Sequence, residues 1–82
     1  MISLTNEQEF TAGFGEMTIA VKVGSSNPQL QFNDGSGWAN KDDPITESNV
    51  FLLEITNGIA WRFTNMGDSS ISYSFKPLVK SR

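Results

Sequence analysis

The sequence predicts an all-β protein, a small β-sandwich of roughly six to eight short antiparallel strands. Several segments alternate apolar and polar residues with a period of two, which is the pattern of a strand with one buried face. Turn-forming residues separate these segments at intervals of roughly 8–12 residues. No segment shows helical periodicity over more than about one turn. Because a single open sheet would leave its apolar face uncovered, we expect two sheets packed together.

The clearest alternation in the N-terminal half runs from Glu16 to Val23. Its apolar members share one face, so we predict a strand there. A second strand is predicted over residues 29–33, after the turn composition of residues 24–28. We interpret residues 1–14 as an N-terminal arm or an edge strand, because their alternation is short and glycine interrupts it.

The middle of the chain is predicted to be a hairpin followed by a loop. Residues 34–37 contain two glycines and end the second strand, and Trp38 follows in a short strand that returns beside it. Residues 40–44 are the most polar run of the chain, and Pro44 disfavours helix at the residue before it. We therefore expect a loop over residues 40–44.

The C-terminal half is predicted to form a three-stranded antiparallel meander, with strands over residues 49–56, 59–65 and 69–75. Asn57-Gly58 favours the positive φ angles of a type I′ turn, so it is expected to close a two-residue hairpin between the first two strands. A second glycine-containing connection leads to the third strand.

The same alternation predicts the core. Apolar residues in phase on each strand are expected to be largely buried, in the monomer or at a subunit contact. The predicted core residues are Ile19, Val21, Leu30, Phe32, Leu53, Ile59, Trp61, Phe63, Ile71, Tyr73 and Phe75.

The length predicts a single domain over residues 1–82 with a marginal core. A domain of 82 residues buries only about 60% of the surface that its unfolded chain exposes. The chain contains no cysteine and no histidine, so neither a disulfide nor the usual zinc site can stiffen it. The remaining common remedy is association with further copies or with a larger body.

The charge and the N-terminal residues argue against several partners. A net charge of −3 and a pI of about 4.6 give no basic patch for nucleic acid. The first residues lack the basic and apolar regions of a signal peptide, and no stretch is long enough to span a bilayer. We therefore expect a soluble chain that binds neither nucleic acid nor membrane. Lys76, Lys80 and Arg82 give the last residues a positive bias, which we interpret as a solvated end.

The residues that carry reaction chemistry are sparse, so we predict no catalytic activity and no cofactor. Nucleophilic catalysis usually needs a histidine base, and the chain has none. The paired carboxylates Asp42 and Asp43, and Glu7 with Glu9, are interpreted as solvated loop residues. The glycine-rich stretches lack the following helix that a phosphate loop requires.

One loop region is a candidate for ligand binding, through Asp34, Trp38, Asp42 and Asp43. Asp34 begins an Asp-Gly-Ser stretch with a faint likeness to a calcium loop, but the closing bidentate carboxylate is missing, so no metal site is predicted. An exposed tryptophan beside polar groups would suit a sugar. For Trp38 this interpretation and core burial remain open, whereas Trp61 is in phase with the core.

A further set of residues resembles a known family. They are Gln29-Leu30-Gln31-Phe32, Asp34-Gly35, Trp38, Trp61-Arg62-Phe63, Gly67 and the run from Ser70 to Ser74. This pattern, which spans Met17 to Phe75, resembles the small β-sandwich proteins of tailed-bacteriophage virions, found as capsid decoration or head-fibre proteins and in tail fibres.

The resemblance implies a non-enzymatic protein on the capsid surface of a virion, made in the host cytoplasm. Its partners would be the capsid protein and further copies of itself, with a trimer favoured by capsid symmetry. The contacts are expected at the apolar N-terminal residues Ile2, Leu4, Phe10 and Phe14. The alternative is a carbohydrate-binding module, or a tail-fibre domain, that binds a glycan through exposed aromatic residues.

Overall fold

The computed structural model describes residues 1–10, 15–55 and 59–77. These residues contain no helix and form seven strands, which confirms the prediction of an all-β sandwich. In chain order the strands are β1 (Ile2–Leu4), β2 (Gly15–Lys22), β3 (Gln29–Asn33), β4 (Trp38–Asn40), β5 (Asn49–Ile55), β6 (Ala60–Thr64) and β7 (Ser70–Pro77).

The strands form two antiparallel sheets. One sheet has the order β1-β7-β2-β5, and the other has the order β4-β3-β6. The alternation of β2 made it the clearest strand in the sequence, and β2 lies inside the four-stranded sheet. It pairs with β5 over seven residue pairs and with β7 over eight.

The pairing of the strands is nested. β1 pairs with β7, β2 with β5 and β3 with β4, while Phe10 forms an isolated bridge with Trp61 of β6. The first strand therefore pairs with the last. Each later segment from the N-terminal side pairs with a partner that lies correspondingly earlier in the chain. A long hairpin rolled up in this way into two sheets has the topology of a jelly roll. A jelly roll has one further strand between β1 and β2. In the described residues, the isolated bridge at Phe10 occupies the place of that strand.

The core lies between the two sheets. Phe10 links them, because its ring stacks at 6.1 Å from Phe63 of one sheet and at 5.6 Å from Tyr73 of the other. The buried apolar residues are Leu4, Phe10, Met17, Ile19, Val21, Leu30, Leu53, Trp61, Phe63, Met66 and Ile71. Seven of the predicted core residues are among them, and Phe32, Ile59, Tyr73 and Phe75 are partly buried against this cluster.

The predicted C-terminal meander is wrong. The strands exist close to their predicted bounds, but β6 belongs to the three-stranded sheet, and β2 separates β5 from β7 in the other sheet. The predicted pairing of β5 with β6 is therefore wrong, and Asn57-Gly58 itself lies outside the described residues. The physical reason is burial: strands in opposite sheets cover each other's apolar faces, which neighbours within one sheet cannot do.

Hydrogen bonds between two loops close one end of the sandwich. The N–H of Ser25 donates to Oδ1 of Asp68 at 2.6 Å, and the N–H of Gly24 donates to Oγ of Ser69 at 2.9 Å. A Cβ atom on Gly24 would overlap the Asp68 carboxylate, so a larger residue there would displace this side chain from its present position. The β2–β3 and β6–β7 connections are thereby held together.

Candidate functional site

The structure divides the predicted ligand-loop residues between two places. Asp34 and Trp38 lie at the β3–β4 hairpin, whereas Asp42 and Asp43 line a cavity beside β5. The structure therefore offers two candidate surfaces, one on the outer face of the three-stranded sheet and one at the edge of the four-stranded sheet.

The first surface, here called the polar face, is the outer side of the three-stranded sheet. Leu30, Phe32, Trp61 and Phe63 turn inward, so the residues that alternate with them turn outward. Strand register places Gln31 beside both Asn40 and Arg62, and it places Asn33 beside Trp38. The polar face is formed by Gln31, Asn33, Trp38, Asn40 and Arg62.

A chain of side-chain contacts fixes the polar face. Nε of Arg62 donates to Oε1 of Gln31 at 2.8 Å, and Nε2 of Gln31 donates to Oδ1 of Asn40 at 2.9 Å. The Arg62 guanidinium lies 4.1 Å from the centroid of the Trp38 ring, a cation–π contact. Arg62 therefore covers part of Trp38, and any ligand meets the remaining ring surface beside fixed amide groups.

The loop next to the polar face is held by its own polar side chains. Oδ1 of Asn33 accepts from the N–H of Gly35 at 2.8 Å, and Oδ1 of Asp34 accepts from the hydroxyl of Ser36 at 2.6 Å and from its N–H at 3.1 Å. These bonds from Ser36, the hydroxyl first, hold the pKa of Asp34 below its usual value. Asp34 thus stabilises the turn between β3 and β4. Among the described residues, no three acidic groups come together as a metal site.

The second surface begins with a cavity of about 330 Å³ beside β5, here called the side groove. Its floor consists of core residues and its rim is charged, with Nζ of Lys41 at 2.8 Å from Oδ2 of Asp42. The N–H of Ile45 donates to the carbonyl of Pro28 at 2.8 Å, which holds the loop in place. The side groove is lined by Leu30, Lys41, Asp42, Asp43, Ile45, Phe51, Leu52 and Leu53.

Next to the side groove lies the edge of β5, the last strand of its sheet. Val50 and Leu52 are 64% and 65% exposed on the outer side of this strand. The N–H of Val50 donates to the side chain of Asn49 instead of to β2. Because hydrogen-bonding direction alternates along an antiparallel strand, Val50, Leu52 and Glu54 direct their backbone groups away from β2. This open edge carries aliphatic side chains, a combination that invites strand pairing.

The predicted N-terminal contact residues do not form one surface. Ile2 is 57% exposed on the edge strand β1, but Leu4 and Phe10 are each only 5% exposed and belong to the core. Their assignment as surface contacts is therefore corrected: Leu4 pairs with Ile71, and Phe10 bridges to β6, because so small a sandwich uses its N-terminal residues to fill its interior. Phe14 lies outside the described residues.

The aromatic residues considered as a sugar platform are also separated. Trp61 is buried, and the ring of Tyr73 stacks on Phe10. Trp38 alone of the three lies on the polar face. Gln31 and Arg62 were not among the predicted site residues, although their alternation with Leu30 and Trp61 already places them on the opposite face of their strands.

No protein-family model matches this chain, and neither a curated protein nor a solved structure matches it. Within the described residues, no helix has the length and hydrophobicity needed to cross a membrane.

Proposed function

We propose that this chain is a non-enzymatic structural protein of a virion that binds the capsid surface as an oligomer, with a trimer favoured. The observation that carries the proposal is the edge of β5, where Val50 and Leu52 are exposed and no strand of the described residues pairs with the outward backbone groups. Covering a valine or leucine side chain is worth about 1.5–3 kcal/mol. A domain with so little core gains from any partner that covers this edge.

The topology and the chemistry support the same proposal. Jelly rolls recur in viral capsid and lectin domains, which is an analogy of fold and leaves the function to the surfaces. The carboxylates that suggested catalysis, Asp42 and Asp43, lie at the rim of the side groove, where Asp42 is paired with Lys41. The proposal therefore assigns a binding role to these residues and no reaction.

A second candidate function rests on the polar face. Trp38 there combines an aromatic ring with the amides of Gln31 and Asn40, and carbohydrate sites use aromatic surface beside hydrogen-bonding groups. The ligand would be a glycan, and the chain would act as a carbohydrate-binding module or a tail-fibre domain.

Two variants separate the candidates. Leu52→Lys places a charge on the β5 edge, and Trp38→Ala removes the ring from the polar face. For each variant, light scattering measures the mass, co-sedimentation measures retention on capsids of the encoding virus prepared without this protein, and glycan resin measures sugar binding.

A capsid-binding structural protein should lose mass and capsid retention in Leu52→Lys and keep both in Trp38→Ala. A glycan-binding module should be a monomer that loses retention on the resin in Trp38→Ala alone. A wild-type chain that remains monomeric and does not sediment with capsids contradicts the first proposal.

A further inference from the structure

The β5 edge and the side groove form one continuous surface. Residues 51–53 belong to both, since their backbone runs along the open edge and all three residues line the groove. A strand added beside β5 would hydrogen bond to the outward backbone groups of Leu52 and send every second side chain toward the groove. The surface is therefore suited to an extended segment with an aliphatic side chain.

The charge of residues 41–54, the segment that contains the loop before β5 and most of that strand, indicates which kind of segment could bind here. Residues 41–54 contain one basic residue, Lys41, and four acidic residues, which gives a net charge of 1 − 4 = −3, equal to that of the whole chain. The four acidic residues are Asp42, Asp43, Glu47 and Glu54. Pairing two copies of β5 edge to edge would bring two such segments together, and like charges repel. The charge favours an occupant that is both aliphatic and basic.

One segment of the chain itself has this composition. Leu78-Val79-Lys80-Ser81-Arg82 follows β7 and carries two aliphatic residues and a net charge of +2. We propose that residues 78–82 of a second copy add as a strand to the edge of β5, with an aliphatic side chain at the side groove and the basic residues near the acidic rim. This inference rests on the proposed function, because it names the contact that builds the oligomer.

The five residues of the same copy are too short to make this contact. Pro77 pairs with Gly15, which pairs in turn with Ile55, so β2 lies between the end of β7 and β5. The path from β7 to the open side of β5 crosses three strand spacings, about 14 Å at about 4.8 Å each. Five extended residues span about 17 Å, which leaves about one residue to lie along the edge. Residues 78–82 must therefore come from a different copy.

The contact joins two different surfaces, a donor segment and an acceptor edge. Such a heterologous contact closes into a ring if the rotation between copies allows it, and otherwise continues as a filament. A closed ring of a few copies agrees with the oligomer proposed for the capsid surface. Each copy then covers the edge strand of its neighbour.

Charge exchange tests the contact in the full-length chain. The acceptor variant is Asp42→Lys with Asp43→Lys, and the donor variant is Lys80→Glu with Arg82→Glu. Each should raise the dissociation constant of the oligomer at least about tenfold, measured by light scattering over a dilution series, because like charges then face each other. Combining all four substitutions restores opposite charges and should restore the mass. Glu7→Lys with Glu9→Lys is the matched control, since it changes the net charge equally at a distance from β5.

A peptide provides a measurement that does not depend on the folding of a variant. The peptide Lys-Pro-Leu-Val-Lys-Ser-Arg, copied from residues 76–82, should compete for the edge and lower the mass of the wild-type oligomer. The same peptide with both of its last basic residues replaced by glutamate should compete at least about tenfold less well.

The inference is overturned if the wild type is a monomer, if neither exchange lowers the mass, if the fourfold variant is not restored, or if both peptides act equally. Capsid retention of the same samples keeps the two proposals apart. An oligomer that survives every exchange and still binds capsids overturns the inference and supports the proposed function. An oligomer that responds to the exchanges as expected but never binds capsids supports the inference and overturns the proposed function.

Discussion

The strands β5 and β6 follow each other in the chain and occupy very different positions in the sandwich. β6 is covered along both edges, by β3 over five residue pairs and by the bridge to Phe10. Among the described residues, β5 pairs with β2 alone, and its other edge is open. Both strands bury alternate side chains, Trp61 and Phe63 on β6 and Leu53 on β5.

The two strands differ most on their outer faces. On β6 the outward residue Arg62 donates from Nε to Gln31 and its guanidinium lies over Trp38, so it makes its contacts within the chain. On β5 the outward residues Val50 and Leu52 are aliphatic and exposed. The lesson is that an inward face reports how a strand is stabilised in the monomer, whereas an outward aliphatic face points to a contact that the monomer does not make.

The largest expected effect is on the inner face of β6. Phe63 is 1% exposed, so Phe63→Ala should lower the free energy of unfolding by about 3–5 kcal/mol, most of the stability of a small domain. Urea unfolding at a concentration where the chain is monomeric measures the loss. Leu52→Ala on the outer face of β5 is the matched control and should change the monomer by less than about 0.5 kcal/mol. Equal losses in the two variants would contradict the comparison.

The next effect concerns the outer face of β6. Arg62→Ala removes a hydrogen bond to Gln31 and the contact with Trp38, and should cost about 1–2 kcal/mol. Arg62→Lys keeps a cation near the ring but loses the Nε donor, so it should cost about half as much. Urea unfolding of both variants checks this order. If Arg62→Ala unfolds like the parent, the polar face contributes nothing to the stability of the fold.

This network also shows how far the sequence could predict the site. The alternation of β3 and β6 places Gln31 and Arg62 outward, but the contact between them depends on which strands become neighbours, and period two contains no such information. The Asn57-Gly58 pair is a local turn signal, and it suggested the wrong neighbour for β6. Pairing across the sandwich was decided by burial of whole faces, which are far apart in sequence.

The two surfaces of β5 illustrate the same limit. The strand itself, and the burial of Leu53, follow from its apolar residues. Val50 to Leu53 is an unbroken apolar run, however, and such a run is typical of a strand covered on both faces. The sequence does not show that Val50 and Leu52 are exposed, because this depends on β5 lying at the edge of a sheet whose outer face is uncovered. Asp42 and Asp43 could be identified as surface carboxylates, but their place at a groove depends on the same edge.

A smaller effect is expected at Trp61. Its indole N–H is buried and finds no acceptor among the described residues. Trp61→Phe loses some packing but also removes this donor, whose burial without a partner costs about 1–3 kcal/mol. The free energy of unfolding should therefore change by at most about 1 kcal/mol, whereas Trp61→Ala should cost about 3–5 kcal/mol. Urea unfolding of Trp61→Phe and Trp61→Ala measures both losses. Equal losses in the two variants would show that the buried N–H has no such cost.

The smallest effect concerns pH and the connection that follows β6. The backbone N–H of Ser25, and then its hydroxyl, donate to Asp68 and hold the pKa of that carboxyl below its usual 3.8. A carboxyl whose pKa is lower in the folded state stabilises the fold above its unfolded pKa, and this contribution is lost as the pH falls through the folded value. The melting temperature of the parent should therefore decrease as the pH is lowered below about 4. Asp68→Asn cannot titrate and should show a shallower decline, while Ser25→Ala removes one of the two donors and should lie between them. Thermal melts from pH 5 to pH 2.5 measure the three slopes; if Asp68→Asn declines as steeply as the parent, the acid loss arises elsewhere in the chain.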